Sequence, residues 1–167
     1  AAGAFTDAMG NDNTVSNTYT WTQDDTGPTM TITSNTIASG GSTATDPVVL
    51  IYTSNEATTN FALADITETG CTGDTFTTTS TTVYGSSCTV TNDGAASVAV
   101  AASTFTDAAG NANSVSNTYS WTLDDTGPSM TITSSTVTSG DTSNDATIAL
   151  AFAAGESTTN LVAGDVT

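Results

Sequence analysis

The 167-residue chain contains no lysine, no arginine and no histidine. A soluble domain ordinarily draws about a quarter of its residues from Asp, Glu, Lys and Arg, with both signs present. Here 14 Asp and 3 Glu stand alone, and the formal net charge is −17. Nucleic acid is excluded as a partner, because nothing neutralises phosphate. Anionic membrane surfaces are excluded for the same reason. A Ser-His-Asp or Cys-His catalytic set cannot be assembled without histidine. Phosphoryl transfer lacks its cationic clamps, and a zinc site would rest on two cysteines and carboxylates. A membrane-spanning helix needs roughly 20 apolar residues in a row, and the chain has no such run. No basic segment precedes an apolar stretch, so no secretion signal is read, and the sequence is expected to begin inside a mature chain.

What is present is threonine and serine, 40 and 19 residues, about a third of the chain. Threonine is β-branched and favours strands. Apolar residues make up 37% and recur at alternate positions, with Trp, Tyr and Phe among them. That pattern argues for packed β-structure over a disordered stalk.

The chain repeats itself. Phe5–Thr36 and Phe105–Thr136 align without a gap at an offset of 100 residues, identical at 25 of 32 positions. A weaker match continues to the end, keeping Leu50/Leu150, Glu56/Glu156, Asn60/Asn160 and Asp65/Asp165. Gly-Pro at 27–28 and 127–128, each after Asp-Asp, marks the boundary between units. Residues 24–123 are read as one complete unit, 1–23 as the last strands of a preceding unit, and 124–167 as the first strands of the next. The chain is expected to be a window on a longer tandem array.

Seven short strands are predicted. Met30 and Ile32 alternate with Thr29, Thr31 and Thr33 in strand A. Val48, Leu50 and Tyr52 mark B. Phe61 and Ile66 face inward in C, with a bulge between them because five residues do not fit a period of two. Thr75–Thr79 is a short edge strand D. Tyr84, Cys88 and Val90 share a face of E, Val98 and Val100 mark F, and Tyr119, Trp121 and Leu123 mark G. Trp21 and Trp121 occupy equivalent places and are assigned to core packing. The fold class is all-β, with immunoglobulin-like sandwich repeats in tandem.

FTDAAGNAN, a strand ending in DDTGP, then TMTITS, then the stretch from Glu56 to Ile66, taken in that order, resemble bacterial Ig-like repeats. Such repeats occur in tandem in very large secreted adhesins and in similar microbial and algal surface proteins. The resemblance implies an extracellular, cell-surface β-sandwich used for reach and adhesion, often rigidified by calcium at the domain joints, and it implies no enzyme.

Strand counting adds a geometric expectation. In an up-and-down sandwich, the start of A, the B–C loop and the F–G loop lie at one end. Asp24, Asp25, Glu56, Asp107 and Asn111 should therefore converge where the chain enters the unit. A hard divalent cation takes six to eight oxygens from such groups, and carboxylates gathered without one repel. These are the candidate calcium ligands at the repeat junction. The same residues also make good turns with no ion, Asp107 to Asn111 especially, so both readings stand.

Cys71 and Cys88 are the only cysteines. In an extracellular chain they are expected to pair, tying the end of C to E. Exposed Thr rows are read as solvated strand faces or as carriers of O-glycans. There is no Asn-x-Ser/Thr sequence for N-glycans. Asp65 with Glu68 is the kind of acid pair that hydrolyses glycosides, but acids repeating every 100 residues with no evident cleft do not make a catalytic site. The sequence is read first as a structural module of a surface fibre, filament or giant adhesin, with adjacent repeats and neighbouring copies as partners. The rival readings are a ligand- or carbohydrate-binding adhesin domain that meets surface glycans, and an accessory module of an enzyme.

Overall fold

The computed structural model describes residues 1–166; Thr167, the last residue of the segment assigned to a following unit, lies outside the described residues. Alternation decides the strands. In β1 (Met30–Ser34) Met30 and Ile32 are buried while Thr31 and Thr33 face water. In β3 (Val48–Ser54) Val48, Leu50, Tyr52 and Ser54 are buried. One sheet runs β1-β3-β6-β5, with β6 at Val83–Thr89 and β5 at Thr72–Thr78. The facing sheet runs β2-β8-β7-β4, from Ser42–Thr43, Tyr119–Leu123, Gly94–Val100 and Ile66–Thr69. Every pairing within these sheets is antiparallel except β2 with β8, where Ser42 and Thr43 lie parallel to Thr122 and Leu123.

The two inner faces close one core, in which Trp121, Tyr52, Phe105, Ile32 and Leu50 are the largest fully buried side chains. Each such residue contributes about 1.5–3 kcal/mol through burial. Phe61 is the aromatic hub. Its ring centroid lies 5.0 Å from both Tyr84 and Phe105, edge-on, and 5.7 Å from Tyr52 and Phe76. Two buried tyrosine hydroxyls find hydroxyl partners. Tyr52 meets Ser86 at 3.0 Å and Tyr84 meets Thr58 at 2.6 Å. Cys71 and Cys88 form a disulfide with Cα atoms 5.7 Å apart, tying the β4–β5 corner to β6.

Four expectations need correction. The five-residue step from Phe61 to Ile66 is taken up by a 3-10 turn, Leu63–Asp65, and not by a bulge. The Asp65 carboxylate accepts the Ala62 N–H at 2.8 Å and so closes that turn on itself. Strand D is longer than its Thr run suggested, because β5 pairs with β6 from Thr72 onward. An eighth strand, β2, is too short to carry any alternation. Finally, Trp121 is core at 2% exposure, but its counterpart Trp21 is 78% exposed. Residues 1–23 form no strand, and beyond residue 123 the described residues hold the antiparallel pair β9 (Met130–Ser134) and β10 (Leu150–Ala154), whose residues are exposed, and a second 3-10 turn, Ala163–Asp165.

The two tryptophans therefore separate by environment. Trp121→Ala should lower unfolding free energy by about 3–5 kcal/mol, whereas Trp21→Ala should stay within about 0.5 kcal/mol; urea melts followed by far-UV circular dichroism measure both. Cys71 and Cys88 are 17 residues apart, and reduction of that bond should cost about 3 kcal/mol in the same assay on the loop-entropy estimate.

Candidate metal centre

The chain enters the sandwich through Asp24 to Thr29, and two loops meet it there. The first follows β3. Thr29 N–H donates to Asn55 Oδ1 at 2.6 Å, and Asn55 N–H donates back to the Thr29 carbonyl at 3.2 Å. This clamp sets Glu56 beside the entering strand. The second loop joins β7 to β8 and folds by its own chemistry. Asp107 Oδ1 accepts the N–H groups of Gly110 at 2.7 Å and Asn111 at 2.8 Å, and Asp107 Oδ2 accepts Asn111 Nδ2 at 2.9 Å. Gly110 takes φ +93, where a side chain would be strained. Asn113, also buried, accepts the N–H groups of Thr104 and Phe105 through Oδ1, and donates to the carbonyls of Ala101 and Ser114. The same loop forms at the other end of the chain, where Asp7 accepts from Met9 and Asn11, and Asn13 from Ala4 and Phe5. The motif is locally encoded, independent of the sandwich.

The loop packs hard against the entering chain. A Cβ on Gly27 would run into the Ala112 carbonyl. Ser114 N–H donates to the Pro28 carbonyl at 3.0 Å, and Asn111 Nδ2 donates to the Asp24 carbonyl at 3.1 Å. These contacts bring together Asp24, Glu56 and Asp107, whose carboxylate oxygens lie within 4.8 Å of one another. Asp107 is only 5% exposed. Glu56 Oε1 is buried with no hydrogen-bond partner. Asn111 flanks the trio and binds two of its members through one amide nitrogen. Asp25, the remaining residue singled out from the sequence, is exposed and lies outside the trio.

The electrostatics are those of a site short of positive charge. Burial pushes the Glu56 carboxyl above the usual range, and the charges of Asp24 and Asp107 push it further. Burial also acts to raise Asp107, but the Asn111 side chain and the N–H groups of Asn111, Gly110 and Ala109 outweigh it and hold the carboxyl low. Asp107 is thus a fixed anion and Glu56 the strained member.

The opposite end of the sandwich carries a second pair of acids, Asp93 and Asp125. Asp125 N–H donates to Asp93 Oδ1 at 2.8 Å. The Thr126 hydroxyl, followed by the Asp125 N–H, lowers the Asp93 carboxyl, while the facing Asp93 raises that of Asp125. Nothing in Asn92-Asp93-Gly94 distinguishes this role from that of a turn. Asp65 and Glu68 serve backbone, Asp65 in its turn and Glu68 by accepting the Gly73 N–H at 2.7 Å.

A raised carboxyl stabilises the folded chain below the ordinary carboxylate range, and that contribution is lost as pH rises through the raised value. In chelator, Glu56→Gln should therefore melt a few degrees above the native chain at neutral pH, and the gain should vanish on acidification. Thermal melts at both pH values test this. A variant that melts lower at neutral pH would show that Glu56 is not repelled.

The profile of the bacterial Ig-like domain family matches residues 24–123. No curated protein and no solved structure matches the chain. The matched span is the two-sheet sandwich built around Phe61 and Trp121, and with it the entry site of Asp24, Glu56 and Asp107. By that match over more than half its length, the chain belongs to the bacterial Ig-like domain family.

Proposed function

We propose that this chain is a structural segment of an extracellular surface fibre, filament or giant adhesin, in which sandwich repeats give reach and calcium at the repeat joints gives rigidity. The observation that supports this best is the meeting of Asp24, Glu56 and Asp107 where the linker enters the repeat. Three carboxylates crowd together there, and the chain has no cationic side chain to place among them. An all-oxygen donor set suits calcium and not zinc. The carboxylates of Asp24, Glu56 and Asp107 would hold the ion, with Asp25 and Asn111 beside them. Bound there, the ion supplies the positive charge that the chain lacks. The residues do the mechanical work. Asp24 belongs to the linker, Glu56 to the loop after β3 and Asp107 to the loop before β8, so joining them fixes the linker to the body of the repeat.

The exposed Thr29, Thr31 and Thr33 row is a candidate carrier of O-glycans on such a fibre. A carbohydrate-binding module is the second reading. The exposed Tyr19–Trp21 pair, ring centroids 6.3 Å apart, is the observation in its favour. Their counterparts Tyr119 and Trp121 are core, which places that reading second.

Two measurements test the proposal. Calcium at 100-fold over its dissociation constant should stabilise the chain by about 2.7 kcal/mol, and Glu56→Gln should remove most of that gain. Electron microscopy of the native array should show straight rods in calcium and limp strings after chelation. Rods and melts indifferent to chelator would defeat the calcium joint, and glycan binding lost on Trp21→Ala would put the second reading first.

A further inference from the structure

We infer that Asp93 is the residue by which one repeat holds the linker to the next, so that each joint has two halves and only the front half uses an ion. The inference rests on the reading of the chain as a segment of a tandem array, and it adds the half of the joint that lies behind the linker.

The linker occurs twice, as Asp24-Asp25-Thr26-Gly27-Pro28 and as Asp124-Asp125-Thr126-Gly127-Pro128, identical at all five positions. The first copy meets the complete repeat that follows it. The second meets the same repeat from its far end. Together they show one linker sequence from both sides.

In front, Asp24 brings its carboxylate to those of Glu56 and Asp107. Asn111 Nδ2 donates to the Asp24 carbonyl, the Ala112 carbonyl leaves no room for a Cβ at Gly27, and Ser114 N–H donates to the Pro28 carbonyl. Asp25 lies outside that cluster.

Behind, the Asp124 N–H donates to the Thr43 carbonyl at 3.0 Å, which carries the contact of β2 with β8 one residue into the linker. The Asp125 N–H donates to Asp93 Oδ1 at 2.8 Å. The Thr126 hydroxyl and, after it, the Asp125 N–H hold the Asp93 carboxyl below the usual range, so the acceptor is an anion. The two adjacent acids thus divide the work. The first turns its carboxylate to the repeat ahead, and the second gives its amide to the repeat behind.

Asp93 does more than shape its own turn. In an Asx turn the carboxylate accepts an N–H about two residues on. The Asp93 carboxylate instead reaches a residue 32 positions along the chain, and a charged acceptor makes that bond a strong one. The Asp125 carboxyl contributes nothing to it. The facing Asp93, by hydrogen bond and by charge, pushes that carboxyl up. The contact is carried by the backbone of Asp125 and opposed by its side chain. Asp93 also borders the next unit directly. It lines one hollow with Gly155 and Glu156, and Glu156 is the counterpart of Glu56. The two grips overlap within five residues, so no free segment lies between them. Chelation would release the front half of such a joint. Loss of Asp93 would release the back half with the ion in place.

The test is amide exchange by NMR on the 167-residue chain in chelator. The Asp125 amide should exchange about tenfold or more slowly than in an unstructured peptide. Asp93→Ala should abolish that protection and leave the amides of β3 and β6 protected, which shows that the repeat still folds. Asp93→Asn keeps an Oδ1 acceptor and should retain part of it. Asp125→Asn keeps the amide, removes the facing charge and should retain all of it. In calcium, Asp93→Ala in one repeat of the native array should leave a kink after that repeat in electron micrographs, while calcium still raises the melting temperature of the variant chain. An Asp125 amide that exchanges at the free-peptide rate overturns the inference. So does protection indifferent to Asp93→Ala, and so does an array that stays straight at the substituted joint. A native chain whose melting ignores calcium would defeat the ion in the front half alone, and the amide result would still decide the back half.

Discussion

Every carboxylate in this protein has to be accommodated without a cationic side chain. That constraint organises the loops. Asp107 is wrapped by N–H groups and the Asn111 amide. Asp65 closes a 3-10 turn, Asp46 accepts the Val90 N–H at 3.0 Å and Glu68 that of Gly73. Asp74 takes the Thr89 hydroxyl. In most proteins such acids would find a lysine or arginine, often for less than 1 kcal/mol at an exposed site. Here the partners are backbone amides, Asn side chains and hydroxyls, which hold fixed geometry and do not weaken as salt screens them. Glu56 buries its Oε1 with no such partner, and it sits where two other acids already are.

The core owes nothing to charge. Its two sheets meet through alternate residues, and the aromatic hub at Phe61 draws on β3, β5, β6 and the loop before β8. Such long-range closure explains why neither the leading arm nor the trailing pair of strands makes a core of its own. Each has the right residues and lacks the elements that would cover them.

Much of this was legible in the sequence. The alternation of MTITS and the Val48, Leu50, Tyr52 set decided β1 and β3, because one face of each is buried and a one-residue slip would invert it. The meeting of Asp24, Glu56 and Asp107 followed from topology, since strand order alone brings those loops to one end. What stayed hidden lacks periodicity. β2 is two residues long and is defined by its pairing with β8. The 3-10 turn depends on the Asp65 cap, which only the folded chain displays. In the unpatterned linker no rule says which of two adjacent acids joins the cluster, and Asp24 does so while Asp25 does not. Trp21 shows the limit of reading by equivalence, since the same side chain is core or surface according to what lies over it.

The parallel contact of β2 with β8 has a mechanical consequence. A repeat held in tension by its neighbours is pulled at Asp24 and at Asp124, at opposite ends of the sandwich. The segment 40–43 and the segment 120–124 then slide past each other along their length. Their backbone bonds, from Gly40 to Ser120, Thr122 to Gly41 and Asp124 to Thr43, are loaded in shear and must give way together, unlike a hairpin that unzips one rung at a time. Should they fail, the disulfide still withholds the loop between Cys71 and Cys88 from extension.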